Sequence, residues 1–330
     1  MSRPIRIGFI SFAHMHAVGY AYCLKEIEGV EIAGVADGDR PRGKLWAGRL
    51  GTRYFPNTKD LLSTRPDAVV VTSENVRHTA DVLAAAAAGA HVLCEKPIAT
   101  NIRDAERQIK GCREAGVILE TAFPVRFSPP VMRARRLFKE GAIGRLLAAK
   151  ATNHGSMPGG WFTNPRLSGG GAVIDHTVHV VDLLRWFLED EVVEVYAETG
   201  RLIYPRLKCE DCGLLSMKFK SGVFATLDTS WSRLPSFPIW GDVTMTLWGD
   251  KGRLSVDAFS QNVTVYGDRV RFEGWGSSPD MGLMQDFVET VRTGREPSIS
   301  GTDGMRALEV ALGAYRSARK GAPVRLPLSC

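Results

Sequence analysis

Long apolar runs, clustered cysteines and blocks of one charge are all missing from this sequence. The longest apolar stretch, 82–94, is interrupted by His91 and is far shorter than the roughly 20 residues of a membrane-spanning helix. The six cysteines are scattered, which excludes a disulfide framework in a chain that can bury a large core. Net charge is only +6, and no basic block is interleaved with aromatics, so a nucleic-acid partner is not expected.

The first residues resemble a secretory signal only faintly. Arg3 and Arg6 precede an apolar run at 7–13, but His14 and His16 end that run early, and no small-residue cleavage site follows. We therefore interpret the run as a first strand and expect a cytoplasmic protein without a membrane segment.

Short apolar runs alternate with helical patterns over the first part of the chain. The predicted buried strands are 5–11, 30–36, 68–72, 91–94 and 117–122. Such alternation is typical of a doubly wound parallel sheet, the Rossmann type of α/β fold. For 330 residues we expect two domains, a dinucleotide-binding domain at 1–124 and a second domain at 125–330.

The second domain has a different pattern. Its predicted strands are 192–203, 214–220, 223–231, 243–248 and 263–266, and its predicted helices are 129–140, 172–188, 281–293 and 302–320. We expect an α+β domain in which helices cover one side of a large, open, mainly antiparallel sheet.

Glycines are missing where a dinucleotide-binding turn needs them. In that fold a G-x-G-x-x-G turn lets the backbone approach the pyrophosphate at the start of a helix. Here the three positions hold Ser11, Ala13 and His16. Because the mechanism of the motif is its glycines, this turn alone is weak support for dinucleotide binding.

Asp37 is the second marker of a dinucleotide site. It follows a predicted strand, 21 residues after His16, where an acidic side chain binds the adenosine ribose and repels a 2′-phosphate. This favours NAD over NADP, although Arg40 and Arg42 nearby leave NADP open. A simple turn aspartate is the alternative.

Two blocks in the same order as in a known family carry more weight. The first is His91-Val-Leu-Cys-Glu95-Lys96-Pro97, and the second is a glycine triplet followed by Asp175-x-x-x-His179. With these blocks the chain resembles the glucose-fructose oxidoreductase / inositol dehydrogenase (Gfo/Idh/MocA) family over essentially its whole length. Further matching segments are 72–78, 124–127, 141–144, Trp161, 168–182, 300–304 and 321–324.

The resemblance implies a Rossmann domain, a second domain with a large open sheet, and homodimers or homotetramers built on that sheet. It also implies NAD(P)-dependent hydride transfer at a secondary hydroxyl or carbonyl of a small-molecule sugar, sugar derivative or cyclitol. The catalytic residues would be Lys96, Asp175 and His179, with His179 transferring the proton. The expected cofactor contacts are Ser11, Phe12, Ala13, His14, Asp37, Thr72, Ser73, Asn75, His78, Glu95, Lys96 and Pro97. The expected substrate contacts are Lys96, Arg126, His154, Trp161, Asp175, His176 and His179.

The residue types agree with this chemistry. Asp175 and His179 are four positions apart, so on a helix they share one face. Oxidation of an alcohol needs a base near neutral pH, and histidine has an ordinary pKa of about 6.5. A lysine ammonium such as that of Lys96 stabilises developing alkoxide charge.

Other interpretations stay open. The missing glycines allow a non-catalytic regulator that senses a dinucleotide or a sugar and keeps only the fold. Within enzymes, carbonyl reduction with NADPH or oxidation coupled to elimination are possible. Cys209 and Cys212 have zinc-knuckle spacing, but no second ligand pair follows, so no metal is predicted. His14, His16 and His154 are candidates for substrate or metal contacts.

Overall fold

Two sheets organise the chain in a computed structural model, which describes residues 3–266 and 268–328. The described chain divides into two units. The first contains the residues up to Pro124 together with Asp280–Met305, and the second contains Val125–Pro279 and the residues from Arg306 onward. The sequence pattern assigned all of 125–330 to one domain, whereas Asp280–Met305 groups with the first unit.

The first unit is a parallel α/β sheet. Its elements up to Pro124 are β1 (Ile5–Ile10), α1 (His16–Glu26), β2 (Val30–Ala36), α2 (Arg40–Leu50), β3 (Tyr54–Phe55), α3 (Thr58–Leu62), β4 (Ala68–Val71), α4 (His78–Ala87), β5 (His91–Glu95), α5 (Ile102–Glu114) and β6 (Leu119–Ala122). The strand order is β3-β2-β1-β4-β5-β6 and every pairing is parallel, which confirms the predicted doubly wound sheet. The turns after β1, β2, β4 and β5 therefore lie along one edge, where such sheets bind ligands.

A mixed sheet dominates the rest of the chain. The elements are α6 (Pro129–Lys139), β7 (Leu146–Ser156), α7 (Pro165–Ser168), α8 (Ala172–Leu188), β8 (Val192–Gly200), β9 (Cys212–Phe219), β10 (Phe224–Arg233), β11 (Thr244–Gly249), β12 (Arg253–Asp257), β13 (Asn262–Tyr266), β14 (Val270–Gly274), α9 (Pro279–Thr293), α10 (Gly301–Lys320) and β15 (Val324–Arg325). The seven-stranded order is β12-β11-β7-β10-β9-β8-β15. Only β7 and β10 pair in parallel, so the mainly antiparallel prediction is confirmed. β13 and β14 form a separate ribbon.

The two faces of this second sheet differ. α8 packs on one face, where Thr229 Oγ1 donates to Ala172 O (3.0 Å). The opposite face, here called the open face, exposes Leu214, Phe224 and Trp248 by 59, 57 and 39%. Side chains of a strand alternate between faces, and this alternation is visible along β9 and β10. The pattern missed β7 as a strand because its alanines carry little β propensity.

Polar side chains cap helix starts in the first unit. Asp39 Oδ1 accepts a hydrogen bond from Arg42 N (3.0 Å), and Asn57 Oδ1 accepts one from Asp60 N (2.9 Å). Each such cap is worth about 1 kcal/mol, because it satisfies a helix N–H that has no partner within the helix. Among the helices of the described residues, none combines the length and the apolar character that crossing a membrane requires.

Candidate active site

The turn after β1 has the backbone path that glycines normally provide. Ser11 has φ of +72°, a left-handed conformation that costs a residue with a Cβ about 1–2 kcal/mol. Two hydrogen bonds hold it there. Thr72 Oγ1 donates to Ser11 O (2.7 Å), and Ala13 N donates to Ser11 Oγ (3.1 Å). A serine therefore occupies the first glycine position without changing the path of the turn.

Asp37 lies beside this turn, directly after β2. Its buried carboxylate accepts hydrogen bonds from Phe12 N (2.8 Å) and from Nε and Nη2 of Arg42 (2.8 Å each). It also borders a cavity of about 460 Å³, which Ser11 and Ser73 line as well. A cavity of this size with an acidic residue at the end of β2 fits the adenosine ribose of a dinucleotide. On these two observations, the Ser11 backbone and the Asp37 cavity, the residues present fit NAD.

The turn after β4 is joined to the turn after β5 by His78. Its Nε2 lies 3.0 Å from Ser73 O and its Nδ1 lies 3.0 Å from Pro97 O. Burial lowers the pKa of His78. Because both ring nitrogens face backbone carbonyls, His78 has a structural role here, and its cofactor contact remains a prediction. Thr72 and Asn75 are also buried here, and their cofactor contacts remain predictions.

Glu95, the last residue of β5, is the centre of a buried polar cluster. Its carboxylate accepts hydrogen bonds from Tyr20 Oη (2.6 Å) and Lys96 N (2.6 Å), and it lies 2.8 Å from His16 Nδ1. Burial opposes ionisation, but the adjacent imidazoles of His14 and His16 hold the pKa of Glu95 well below its ordinary value. Burial also opposes the charge of His16, yet Glu95 raises the pKa of that ring above its ordinary value. A carboxylate therefore pairs with an imidazole at the start of α1, and the pairing favours the protonated ring.

His14, His16 and Glu95 also have the composition of a metal site. One ligand atom from each lies within 4.8 Å of the others. However, His16 N donates to His14 Nδ1 (3.2 Å), so the proton of a neutral His14 is on Nε2, the atom 3.9 Å from Glu95. In metal sites the second ring nitrogen usually donates instead of accepting. The geometry favours a hydrogen-bonded cluster, and the expectation of no bound metal remains a prediction.

Lys96 follows β5 directly. It is 2% exposed and is joined to Pro97 by a cis peptide bond. Its backbone lies at the edge of the first sheet that also carries the Ser11 turn and Asp37, since parallel strands end at one edge. This is the position that a residue acting beside the cofactor needs.

In the second unit, Asp175 and His179 lie one turn apart on one face of α8. Both are buried, at 7 and 5% exposure. Gly171, the last glycine before α8, is required by space, because a Cβ there would lie 1.9 Å from Glu210 O. The helix therefore starts at a close approach of two backbone segments, and Asp175 belongs to its first turn.

Two residues that sequence reasoning missed, Glu210 and Tyr315, fix the start of α8. Glu210 Oε1 accepts hydrogen bonds from Gly171 N (2.9 Å), Val173 N (3.0 Å) and Tyr315 Oη (2.6 Å). A carboxylate at a helix N-terminus satisfies the unpaired N–H groups and interacts favourably with the helix dipole. Glu210 thus positions the helix that carries Asp175.

The Cys209-Glu-Asp-Cys212 segment contributes through its acidic pair. Cys209 Sγ lies 3.7 Å from Thr163 O, and Cys212 Sγ lies 3.5 Å from Gly200 O. Burial raises the pKa of the Cys209 thiol to about 11. Asp211 accepts hydrogen bonds from the backbone N–H groups of residues 202, 203 and 204. The sequence feature that indicates the role of this segment is therefore its pair of carboxylates at the start of a strand, and not the spacing of its thiols.

Asp175 is held by Trp231 and lies beside His176. Trp231 Nε1 donates to Asp175 Oδ2 (3.2 Å), and His176 Nε2 lies 3.3 Å from the same oxygen. His176 is fully buried, and its Nδ1 donates to Asn153 O (2.8 Å). His176 therefore lies beside Asp175 in the interior of the second unit, and its substrate contact remains a prediction.

Arg126 forms a buried ion pair with Asp182. Its Nε and Nη2 donate to the two carboxylate oxygens of Asp182 (2.7 and 2.5 Å), and its guanidinium lies over Trp186 at 5.4 Å. All three residues belong to the second unit. Arg126 and Asp182 therefore form a buried ion pair inside that unit, and the substrate contact of Arg126 remains a prediction.

His154 lies between two carboxylates of the second unit, and its substrate contact remains a prediction. Alternation along β7 puts its side chain on the open face, opposite α8, where Nδ1 lies 2.9 Å from Asp242 and Nε2 lies 3.2 Å from Asp228. These hydrogen bonds raise the pKa of His154 to about 9. Asp242 also pairs with Arg233. The structure does not bring His154 to the face that carries Asp175 and His179.

Trp161 remains a prediction. It is half-buried in the short 3-10 helix Gly160–Thr163, and its ring stacks on Phe162 with centroids 3.9 Å apart. Two groups of predicted residues are thus brought together. Ser11, Asp37, Glu95 and Lys96 lie at one edge of the first sheet, and Asp175 and His179 lie on one face of α8.

Comparisons with known proteins agree with this architecture. Residues 5–123 match the family model described as "Oxidoreductase family, NAD-binding Rossmann fold", and residues 131–255 match the "GFO/IDH/MocA C-terminal domain". Over 340 residues the chain is 27% identical to the myo-inositol 2-dehydrogenase of Thermotoga maritima, with 98% of each chain covered. It is 26% identical to the D-apiose dehydrogenase of Paraburkholderia graminis, with 98% of this chain and 88% of that one covered.

A solved structure is similar over nearly the full length. The crystal structure of GenD2 from gentamicin A biosynthesis, in complex with NAD, superposes with a TM-score of 0.91 at 25% identity, covering 99% of this chain and 98% of that one. The two family models together span most of the chain, in the order that the family resemblance requires. The chain belongs to the GFO/IDH/MocA family of oxidoreductases and has an NAD-binding Rossmann domain.

Proposed function

We propose that this protein oxidises a secondary hydroxyl of a sugar, sugar derivative or cyclitol with NAD, or reduces the corresponding ketone. The observation that carries the proposal is the retention of Lys96, Asp175 and His179, all buried, in a chain that belongs to this oxidoreductase family. The names of the relatives, among them inositol and apiose dehydrogenases, support the substrate class. A protein that only senses a ligand has no need of an acid–base set.

His179 is proposed as the proton acceptor in the oxidation. The hydroxyl proton passes to its imidazole while the carbon–hydrogen bond breaks and the carbonyl forms. Bound NAD supplies the acceptor for the hydride. In the reverse direction the protonated ring returns the proton to the carbonyl oxygen.

Lys96 and Asp175 are proposed to support this step. The ammonium of Lys96 stabilises negative charge on the substrate oxygen as the proton leaves. Asp175 lies one turn before His179 on α8, and a carboxylate there stabilises the imidazolium that forms. Trp231 fixes the rotamer of Asp175, because its Nε1 donates to Oδ2.

The test is formation of NADH on a panel of inositols and aldoses with the wild type, Lys96→Ala and His179→Ala. Loss of a general acid–base group is expected to lower kcat by about 10²–10⁴-fold. Lys25→Ala removes an exposed lysine at the end of α1 and is the matched control, with unchanged turnover. Equal turnover in all four proteins would refute the catalytic assignment.

The choice between NAD and NADP is measured in the same assay. Asp37 is expected to favour NAD because a carboxylate repels a 2′-phosphate, even though Arg42 pairs with it. If the wild type binds NAD without turning over any member of the panel, a non-catalytic regulator becomes the better explanation.

We also propose a homodimer or homotetramer that forms through the open face of the second sheet. Leu214, Phe224 and Trp248 expose apolar surface there, and such patches are typical of association sites. Light scattering after size exclusion should give a multiple of the 36.1 kDa chain. Phe224→Glu should shift it toward the monomer, and a monomeric wild type contradicts the proposal.

A cytoplasmic location is the final part of the proposal. Cys23, Cys94, Cys112, Cys209 and Cys212 are all free thiols, as expected for a reducing compartment. Cell fractionation tests this, and recovery of the protein outside the cytoplasm would contradict it.

A further inference from the structure

Most backbone N–H groups in the turn between β1 and α1 already donate hydrogen bonds within the first unit. The N–H groups bind within the first unit as follows: Ser11 to Ala36 O, Phe12 to Asp37 Oδ2, Ala13 to Ser11 Oγ, His14 to Thr72 O and His16 to His14 Nδ1. Among residues 11–16, Met15 alone has an N–H without a partner in the part of the chain that the structure describes. A glycine-rich turn offers such groups to the pyrophosphate, whereas this backbone has little left to offer.

His16 stands in the third glycine position and is the first residue of α1. Its Nδ1 lies 2.8 Å from the buried Glu95 carboxylate, which fixes the plane of the ring. The side chain is 28% exposed, and within the described residues Nε2 has no partner. A ring that is held through one nitrogen therefore presents the other to solvent at the start of a helix.

The surroundings of His16 favour its protonated form. Burial opposes the charge, but Glu95 outweighs it and raises the pKa of the ring. The other charged or titratable groups that face this cluster come from three elements: His14, Tyr20 and Cys23 on or before α1, Lys96 after β5, and Asp280 on α9. Lys96 opposes the charge of His16, and Asp280 supports it.

We propose that the imidazolium of His16 binds the diphosphate bridge of NAD in place of the backbone N–H groups that this turn has lost. The N-terminus of α1 adds a favourable field for an anion at the same point. This inference rests on NAD binding by the first unit. It assigns His16 to cofactor binding, and it makes the affinity depend on pH.

The test is calorimetric titration of wild type and His16→Gln with NAD, with ADP-ribose, which has the diphosphate but no nicotinamide, and with adenosine, which has neither. A hydrogen bond to a charged group is worth about 1.5–3 kcal/mol. His16→Gln should therefore lower the affinity for NAD and for ADP-ribose about ten- to hundredfold. The affinity for adenosine should change less than about twofold, because adenosine lacks the diphosphate. His16→Lys keeps the charge and should restore most of the affinity.

The pH profile separates a charge from a merely structural role. Wild-type affinity for ADP-ribose should fall as pH rises through the raised pKa of His16, whereas His16→Gln should show a flat profile over that range. Tyr20→Phe removes another donor to Glu95 without removing the imidazole, and it should keep the wild-type profile. Melting temperatures of all variants establish that each one is folded.

The outcomes separate this inference from the proposed function. If His16→Gln binds NAD and ADP-ribose as tightly as the wild type, or if the wild-type affinity does not change with pH, the role of His16 is wrong and the dehydrogenase proposal is untouched. If His16 controls the affinity but no sugar or cyclitol is turned over, the inference stands and the proposed function fails. A wild type that binds neither NAD nor ADP-ribose overturns both.

Discussion

His16 and His154 are both histidines held by carboxylates, one in each unit, yet they are used differently. His16 contacts Glu95 through Nδ1 only, and its Nε2 faces solvent. His154 has Asp242 on one nitrogen and Asp228 on the other. Sequence treated the two alike as candidate ligand contacts. A histidine with both nitrogens occupied is part of the structure, whereas one with a free nitrogen is able to bind a ligand.

The same distinction applies to the other charged residues of the predicted site. Arg126 gives Nε and Nη2 to Asp182, and His176 lies between Asp175 and the carbonyl of Asn153. These side chains match the family in position, but their polar atoms face the protein. A family position therefore identifies a residue that matters, and its hydrogen bonds identify whether it acts on a ligand or on a neighbour.

The largest expected effect is a loss of stability when the buried ion pair of Arg126 and Asp182 is broken. Asp182→Asn leaves its guanidinium buried beside a neutral group, and breaking a buried ion pair costs about 3–5 kcal/mol. Urea unfolding should show this loss. Glu189→Gln, on an exposed carboxylate just after α8, is the control and should change stability far less, because exposed ion pairs contribute little. A similar loss in both variants would contradict a structural role of this ion pair.

The next effect is a pH dependence caused by His154. Its pKa is about 9 in the fold against the ordinary 6.5, so its contribution to stability is complete below pH 6.5 and is lost as pH rises to about 9. We expect the free energy of unfolding to fall by roughly 2 kcal/mol over that range. His154→Gln should reduce this fall. If wild type and variant lose stability equally, Asp228 and Asp242 do not hold a charged ring.

A smaller effect is expected at Ser11. Alanine and glycine both remove the hydroxyl, but only glycine adopts φ of +72° at no steric cost. The free energy of unfolding of Ser11→Gly should therefore be about 1 kcal/mol larger than that of Ser11→Ala. Thermal or urea unfolding measures the difference, and equal stabilities would mean that the turn relaxes when the hydroxyl is lost.

The smallest expected effect is that of His154→Gln on NAD binding, which is compared with the effect of His16→Gln. His154→Gln is expected to leave the dissociation constant of NAD within about twofold of the wild-type value, because this ring lies on the open face of the second sheet. His16→Gln should do the opposite, with weak NAD binding. Calorimetry on the two variants side by side distinguishes the two kinds of histidine, and a large effect of His154 on NAD would remove the distinction.

Local pattern was sufficient for much of the fold. Runs such as Ala68–Val71 predict buried parallel strands because all their side chains are apolar. Asp39 and Asn57 predict helix starts because their side chains reach nearby N–H groups. The spacing of Asp175 and His179 predicts a shared face, and the structure places them so. In contrast, alanine-rich β7 and the role of Glu210 depend on partners that are distant in sequence.

Sequence by itself determined the alternation of strands and helices, the caps, and the set of chemically active residues, because these depend on neighbours within a few positions. Tertiary structure alone decided which polar atoms remain available. The backbone of Ser11 is held by Thr72, the ring of His16 is oriented by Glu95, and both nitrogens of His154 are occupied by acids from distant segments of the chain. Hydrogen bonds and charges act through space, so a residue's availability is fixed only when distant segments are brought together.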